Sequence, residues 1–341
     1  MSTSLDVPII RTSERNDFKK CPWLWQKSWE QQLSPLREPT WAWFGTAIHA
    51  GLEARYLPGG TKRGSLTDML DAFEESIDRE VRKIYTRGGE LDDVEVVDGK
   101  LLGRTMLAGY VEEYGKESEW DVINTEQPFQ IDVPGPDGEL LAVYAGTWDM
   151  FARHRRTKAY WIWDHKTRAT FMKDWSFYSI NDQAGSYLWV APQVLVALGL
   201  FKKPPVIEGL VFNILRKHMP DTRPVDSEGR SLNKDGTVSK VQPAKLFHRE
   251  EIYRSPRERV TQGQRVQAEA QVMALYRDGT LPIIKTPTED CVRCKLFEYC
   301  ELNEHDPEAG EEFARFSLKR RDPYADHRED MTTKKGVSIT L

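Results

Sequence analysis

Residues 146–166, GTWDMFARHRRTKAYWIWDHK, decide how this chain is read. They form two apolar runs joined by a basic turn, and each run delivers an aspartate at or near its end. The first run spans 140–151 and is rich in residues that favour a pleated surface; it carries Asp149 just after a Gly-Thr-Trp step. His154, Arg155, Arg156, Thr157 and Lys158 resist burial and mark the connection. The second run, 160–163, ends in Asp164-His165-Lys166. Two antiparallel strands of this kind set two carboxylates and an ammonium group side by side. Neighbouring carboxylates repel unless a cation lies between them, and hard divalent ions such as Mg²⁺ or Mn²⁺ prefer oxygen ligands. A lysine beside such an ion can orient the attacking water while the ion stabilises charge on a phosphate. Taken alone, a D-x-K at a strand end is more often a solvated ion pair of little energetic weight.

Outward from this stretch, the chain of 341 residues has ample length for a real core. Hydrophobic residues make up 39% and charged residues 30%, with no apolar run long enough for a membrane helix. The first residues lack the basic and apolar segments of a secretory signal, so a cytoplasmic location is expected, in the host if the gene is carried by a phage. A net charge of −5 argues against a general polyanion-coating protein. Charge is nonetheless locally positive: Arg153, Arg155, Arg156, Lys158, Lys166, Arg168 and Lys173 face only Asp164, a balance suited to gripping phosphates around an acidic centre.

The first 16 residues read as a loose arm, followed by a short helix capped by Ser13 that stops at Cys21-Pro22. Trp23, Trp25, Trp29, Trp41 and Trp43 suggest core packing or the shielding of a cofactor. Helical spacing covers 41–56, with His49 inside it, and recurs over 66–85 and 101–117, the last two separated by an acidic, glycine-bearing segment. Extended segments follow, with Glu126 at the head of the first, where it can join the acidic cluster or face solvent. A helix over 181–200 places Gln183 and Tyr187 on one face, and Pro192 predicts a kink or break near 187–189. Residues 206–215 return as an apolar strand, 217–250 read as a mobile insertion, and Ser255-Pro256 opens a long helix to about Arg277. The polar tail, 306–341, is expected to be disordered.

Four cysteines complete the inventory: Cys21, and then Cys291, Cys294 and Cys300 in CVRCKLFEYC. In a reducing compartment such a set reads as metal ligation, to Zn²⁺ or an iron-sulfur cluster. Four-cysteine zinc sites usually come as two Cys-x2-Cys knuckles, so the remote Cys21 favours a cluster. Joining distant parts of the chain, it would act as a clasp worth several kcal/mol of unfolded-state entropy.

The order Gly45-Thr-Ala-Ile-His49, Gly146-Thr-Trp-Asp149, Asp164-His-Lys166, Gln183-Ala-Gly-Ser-Tyr187 resembles the RecB-type branch of the PD-(D/E)XK nucleases. The cysteine layout resembles its iron-sulfur members, among them AddB-type and CRISPR-associated nucleases and phage exonucleases. The resemblance implies an α/β, restriction-endonuclease-like core with a central mixed sheet flanked by helices. It divides the chain into a nuclease domain over 17–305, comprising a helical part (17–118), a core (119–216), the insertion (217–250) and a helix with cysteine clasp (251–305). It further implies that His49, Asp149 and Asp164 bind Mg²⁺ or Mn²⁺ with the backbone carbonyl of His165, and that Lys166 positions the hydrolytic water. Gln183 and Tyr187 would support the site and contact DNA, and Cys21, Cys291, Cys294 and Cys300 would hold a 4Fe-4S cluster. The expected activity is a DNA exonuclease acting on single-stranded ends in phage-type recombination or replication, with a protein partner from those processes. The alternatives are a CRISPR-adaptation-type nuclease and a zinc-stapled DNA-binding accessory protein with a decayed site.

Overall fold

The computed structural model describes residues 7–37 and 40–340, with the backbone alone at 40–42. Strand β1 (Ile9–Arg11) leads into α1 (Thr12–Lys20) and α2 (Pro22–Trp25), with Cys21 between the two helices; β2 (Leu33–Pro35) follows. Next come α3 (Thr40–Arg55), α4 (Leu66–Thr86) and α5 (Asp93–Tyr114), then β3 (Trp120–Pro134), β4 (Leu140–His154) and β5 (Tyr160–Arg168). Helix α6 (Asp182–Ala197) connects β5 to β6 (Ile207–Arg216), and β7 (Phe247–Tyr253) precedes α7 (Pro256–Arg277). The remaining elements are α8 (Phe297–His305), α9 (Pro307–Ser317), β8 (Leu318–Arg320), α10 (Ala325–Thr333) and β9 (Val337–Ile339).

A mixed sheet runs in the order β7-β6-β5-β4-β3-β9, with β1 added beside β4. The pairs β3/β4, β4/β5 and β6/β7 are antiparallel; β5/β6, β1/β4 and β3/β9 are parallel. The long β4 shares one edge between two partners: β1 pairs with Val143–Ala145 and β5 with Met150–Arg153. Among the described residues, 146–149 have no ladder partner on that edge, so their polar groups are free for other partners. Asp149 lies at the end of this interval.

Helices cover both faces of the sheet, as expected for an α/β core. On one face Ala184, Leu188, Ala191 and Leu195 of α6 and Val266, Ala270 and Met273 of α7 pack on Phe129, Ile131, Ile162 and Phe212. On the other, Phe44, Ile48 and Leu52 of α3 and Met69, Phe73 and Ile77 of α4 meet Val122, Met150 and Trp163. The spacing 69, 73, 77 is one helical stripe, and Ser65 caps α4 in a reciprocal hydrogen-bonded box with Asp68. Trp23, Trp25 and Trp43 are buried as expected, whereas the side chain of Trp41 lies outside the described residues, as does the start of the N-terminal arm, 1–6. Among the described residues no helix is long and apolar enough to cross a membrane.

Several expectations need correction. Residues 9–11 of the expected arm are a strand, and Thr12 already begins a helix. Helix α5 starts at Asp93 rather than near 101: Asp92 accepts from the Val94 N–H, and Asp93 and Glu95 complement the positive end of the helix. Two of its three glycines are close-approach points, since a Cβ on Gly99 would lie 2.5 Å from Trp43 and one on Gly103 2.1 Å from Phe73. Helix α6 continues through Pro192 without a break; burial of most of its residues outweighs the lost donor. The tail is ordered as α9, β8, α10 and β9. It is fixed by pairing of β8 with β2 and of β9 with β3, by ion pairs from Asp326 to Lys83 and Arg87, and by burial of His327.

Candidate active site

Asp149 stands where β4 loses its ladder partner, and its carboxylate takes the donors the sheet leaves unused. Oδ2 accepts from the backbone N–H of His165, and Oδ1 lies 3.3 Å from Nδ1 of His49, which α3 lays across the strand. Across the β3/β4 ladder, the pairs Thr125↔Met150 and Gln127↔Trp148 place Glu126 opposite Asp149. Glu126 adopts φ 45°, an uncommon left-handed conformation for a side chain other than glycine, and such strain concentrates at functional sites. One ligand atom each from His49, Glu126 and Asp149 lies within 4.8 Å of the others. That spread suits a divalent ion with bonds of about 2 Å to a carboxylate-rich donor set. Glu126, which the sequence left between cluster and solvent, thus joins His49 and Asp149.

Asp164 is buried one register step beyond the β4/β5 ladder. Its Oδ2 faces Nζ of Lys166 at 2.5 Å, an ionic contact without an aligned hydrogen bond, and its Oδ1 accepts from Nε2 of Gln183 at 3.0 Å. Gln183 also donates to the Tyr187 hydroxyl at 3.0 Å, and Tyr187 donates to the Thr147 carbonyl at 2.7 Å. The four-residue spacing on α6 therefore bridges β5 to the unpaired edge of β4. Gly146 makes this possible, because a Cβ there would approach Phe129 to 2.6 Å and the Tyr187 ring to 3.1 Å.

The electrostatics follow from burying so many charges together. Burial pushes the Asp149 carboxyl up, but His49, His165 and Lys166 oppose it and hold the group well below the usual carboxylate range. Burial raises Asp164 to about 6 against the pull of Lys166, and burial with the neighbouring Asp149 raises Glu126 to about 8. For His49, burial favours the neutral ring, yet Asp149, Glu126 and Asp164 outweigh it and raise the imidazole to about 9. His165 goes the other way: burial pushes it down to about 3, so its ring is neutral. A bound divalent cation would supply the positive charge that protons supply without it.

A second group, not anticipated from the sequence, supports His165 from behind. Buried Asn213 on β6 lies 2.9 Å from Nδ1 of His165, and Tyr56, just past the end of α3, stacks on the imidazole with ring centroids 5.9 Å apart. Arg249 of β7 donates to the side-chain Oδ1 of Asn213 and also binds Glu117, Tyr56 and Tyr110. The available signal was a lone amide in the apolar run of β6. Lys334 was missed too: it lies in the tail, and its Nζ is 3.4 Å from Oε2 of Glu126.

The cysteines lie elsewhere. Cys21, Cys294 and Cys300 pack against a small core of Trp23, Leu24, Leu296, Tyr299 and Leu318. All four thiols are free and partly exposed. Among the described residues only His49, Glu126 and Asp149 bring three or more candidate ligand atoms within 4.8 Å of one another, so the four sulfurs do not form a compact single-ion site.

A mixed sheet with helices on both faces and an acidic cluster at an interrupted strand edge suits metal-assisted phosphodiester hydrolysis. The family model for the PD-(D/E)XK nuclease superfamily matches residues 12–301. The chain belongs to that superfamily, whose nucleases use divalent metals and act on DNA. No curated protein matches it. Among solved structures, SSO0001 is similar with a TM-score of 0.29 at 10% identity, covering 74% of this chain and 82% of that one. A protein from Eubacterium rectale named "Putative exonuclease" is similar with a TM-score of 0.38 at 12% identity, covering 86% and 92%. Both likenesses are too distant to bear on activity.

Proposed function

We propose that the chain is a RecB-type exonuclease that hydrolyses DNA from its ends, preferring single strands, in phage-type recombination or replication. The observation that carries this reading is the meeting of His49, Glu126 and Asp149 within reach of one cation, with Asp164 and Lys166 alongside. A divalent ion bound there supplies Lewis-acid stabilisation of phosphate charge and an activated water. The protein does the rest. Asp149, kept ionised and fixed by the His165 N–H, would hold such an ion together with Glu126 and with His49 once its ring has shed its proton. Asp164 holds the Lys166 ammonium, which orients the attacking water and donates to the phosphate. Gln183 and Tyr187 tie Asp164 to the edge of β4 and so keep its carboxylate, and the Lys166 ammonium beside it, fixed against the acid cluster.

In the same reading, residues 17–305, together with strand β1 and the tail that pair into the same sheet, form one nuclease domain in the cytoplasm, where reduced thiols remain available to metal. Cys21, Cys291, Cys294 and Cys300 hold a 4Fe-4S cluster, and a recombination or replication protein is the partner. The cluster reading rests on the cysteine layout of the sequence, and Cys21, Cys294 and Cys291 lie close enough to Cys300 to raise its thiol beyond the effect of burial.

Digestion of matched linear and covalently closed circular DNA tests the activity. Metal-dependent loss of the linear form with the circle spared is the expected result; equal cutting of both would refute end-dependence, and cutting of neither would refute the nuclease.

A further inference from the structure

The tail, outside residues 12–301 that define the superfamily match, returns to the candidate metal site. Strand β9 pairs with Phe129–Ile131 of β3, α10 buries His327 beside Gln130, and the Lys335 carbonyl lies 3.5 Å from Nε2 of Gln127. These contacts hold Lys334 over the acid cluster, with Nζ 3.4 Å from Glu126, 3.9 Å from Asp330 and 4.0 Å from Glu53. The next residue, Lys335, has φ 53°, so left-handed non-glycine backbone occurs on both sides of the Lys334–Glu126 contact. The side chain keeps about a third of its surface exposed, enough for an incoming ligand to reach.

We propose that Lys334 is a substrate-positioning residue that changes partners: it lies against Glu126 before metal binds, and afterwards it holds a phosphate of the DNA. The reasoning rests on the nuclease reading. Once a divalent ion takes the Glu126 carboxylate, Lys334 loses much of its reason to stay on that oxygen. It is left as an ammonium next to the ion, where substrate phosphate must lie. Lys166 sits on Asp164 and Lys334 on Glu126, so the two lysines approach the acid cluster from different strands, β5 and the β9 side of β3. A phosphate held between them and the ion would be gripped from more than one direction.

Fluorescence anisotropy of a labelled single-stranded oligonucleotide with the full-length protein tests this, in Ca²⁺, which takes the same oxygen ligands. Lys334→Met should weaken binding roughly ten-fold and lower the slope of log affinity against log salt by about 0.7, the loss of one phosphate contact. Lys334→Arg should restore both. The metal-induced rise in melting temperature should be no smaller in Lys334→Met than in the natural protein, because a competitor for Glu126 has gone. An unchanged salt slope in Lys334→Met overturns the proposal, as does a variant that merely loses thermal stability and metal response with the slope intact. If the natural protein binds DNA with the full slope yet never cleaves it, the nuclease reading falls while the Lys334 contact stands.

Discussion

Nδ1 of His49 lies 3.3 Å from Oδ1 of Asp149, tying helix α3 to the interrupted edge of β4. Neither residue reaches the other through local sequence; the contact exists because α3 packs across the sheet through Ile48, Leu52 and Met150. His49→Ala should therefore remove one ligand and leave the core intact. Mn²⁺ affinity should fall about ten- to a hundred-fold, with the unliganded melting temperature within a few degrees of the natural value. Titration calorimetry with Mn²⁺ checks this.

Protons and metal compete for the same groups. Glu126 at about 8, Asp164 at about 6 and His49 at about 9 are all raised above their ordinary values. Their contribution to stability is fully present below the unfolded pKa values and is lost as pH rises through the folded ones, so the metal-free protein should become less stable from about pH 6 to pH 9. Depressed Asp149 acts in the opposite sense, but only in acid. Since ligands must shed protons to bind, the gain in melting temperature from Mn²⁺ should grow across the same window. Thermal melts at pH 6 and pH 8.5, with and without Mn²⁺, would show it; a metal gain independent of pH would contradict the proton count.

Tyr187 donates to the Thr147 carbonyl and accepts from Gln183. Tyr187→Phe leaves that part-buried carbonyl without its donor at a cost of about 1–3 kcal/mol, read as a lower midpoint in chemical denaturation. Gly146→Ala should cost a similar amount by forcing Phe129 and the Tyr187 ring apart, about 1–3 kcal/mol. In both variants kcat should fall while the affinity for Mn²⁺ stays near natural.

Protein prepared without oxygen should carry iron and inorganic sulfide and absorb broadly in the visible. Replacing Cys21 with Ser should release the iron and lower the melting temperature by loosening the join between the α1–α2 corner and the C-terminal cysteines, a crosslink worth several kcal/mol. Stoichiometric zinc without iron would contradict the cluster.

How much of this was legible depended on whether the signal was local. Paired strands, turn chemistry and the helix at Ser255-Pro256 are written in neighbouring residues, and they appear at nearly the expected positions. Asp149, Asp164, Lys166, Gln183 and Tyr187 were singled out by the order of their motifs along the chain, which resembles the family pattern, and not by any one local signal. Gly99 looked like a loop signal because close helix packing against Trp43 is a tertiary fact. The tail looked disordered because its anchors, Glu14 for Tyr324 and Lys83 for Asp326, lie some 240 residues or more away in the chain. Lys334 was hidden in the same way, lying 208 residues from Glu126, and Asn213 by the absence of any local sign that β6 passes behind His165.

The most direct test is Mn²⁺-dependent digestion of end-labelled single-stranded DNA by the natural protein and by Asp149→Asn, a substitution that keeps the shape of the side chain but not its charge. The shared-cation site predicts processive loss of label in the natural protein and a rate lower by about three orders of magnitude in the variant. Digestion by Asp149→Asn at the natural rate would mean that the His49, Glu126 and Asp149 cluster is not where the chemistry takes place.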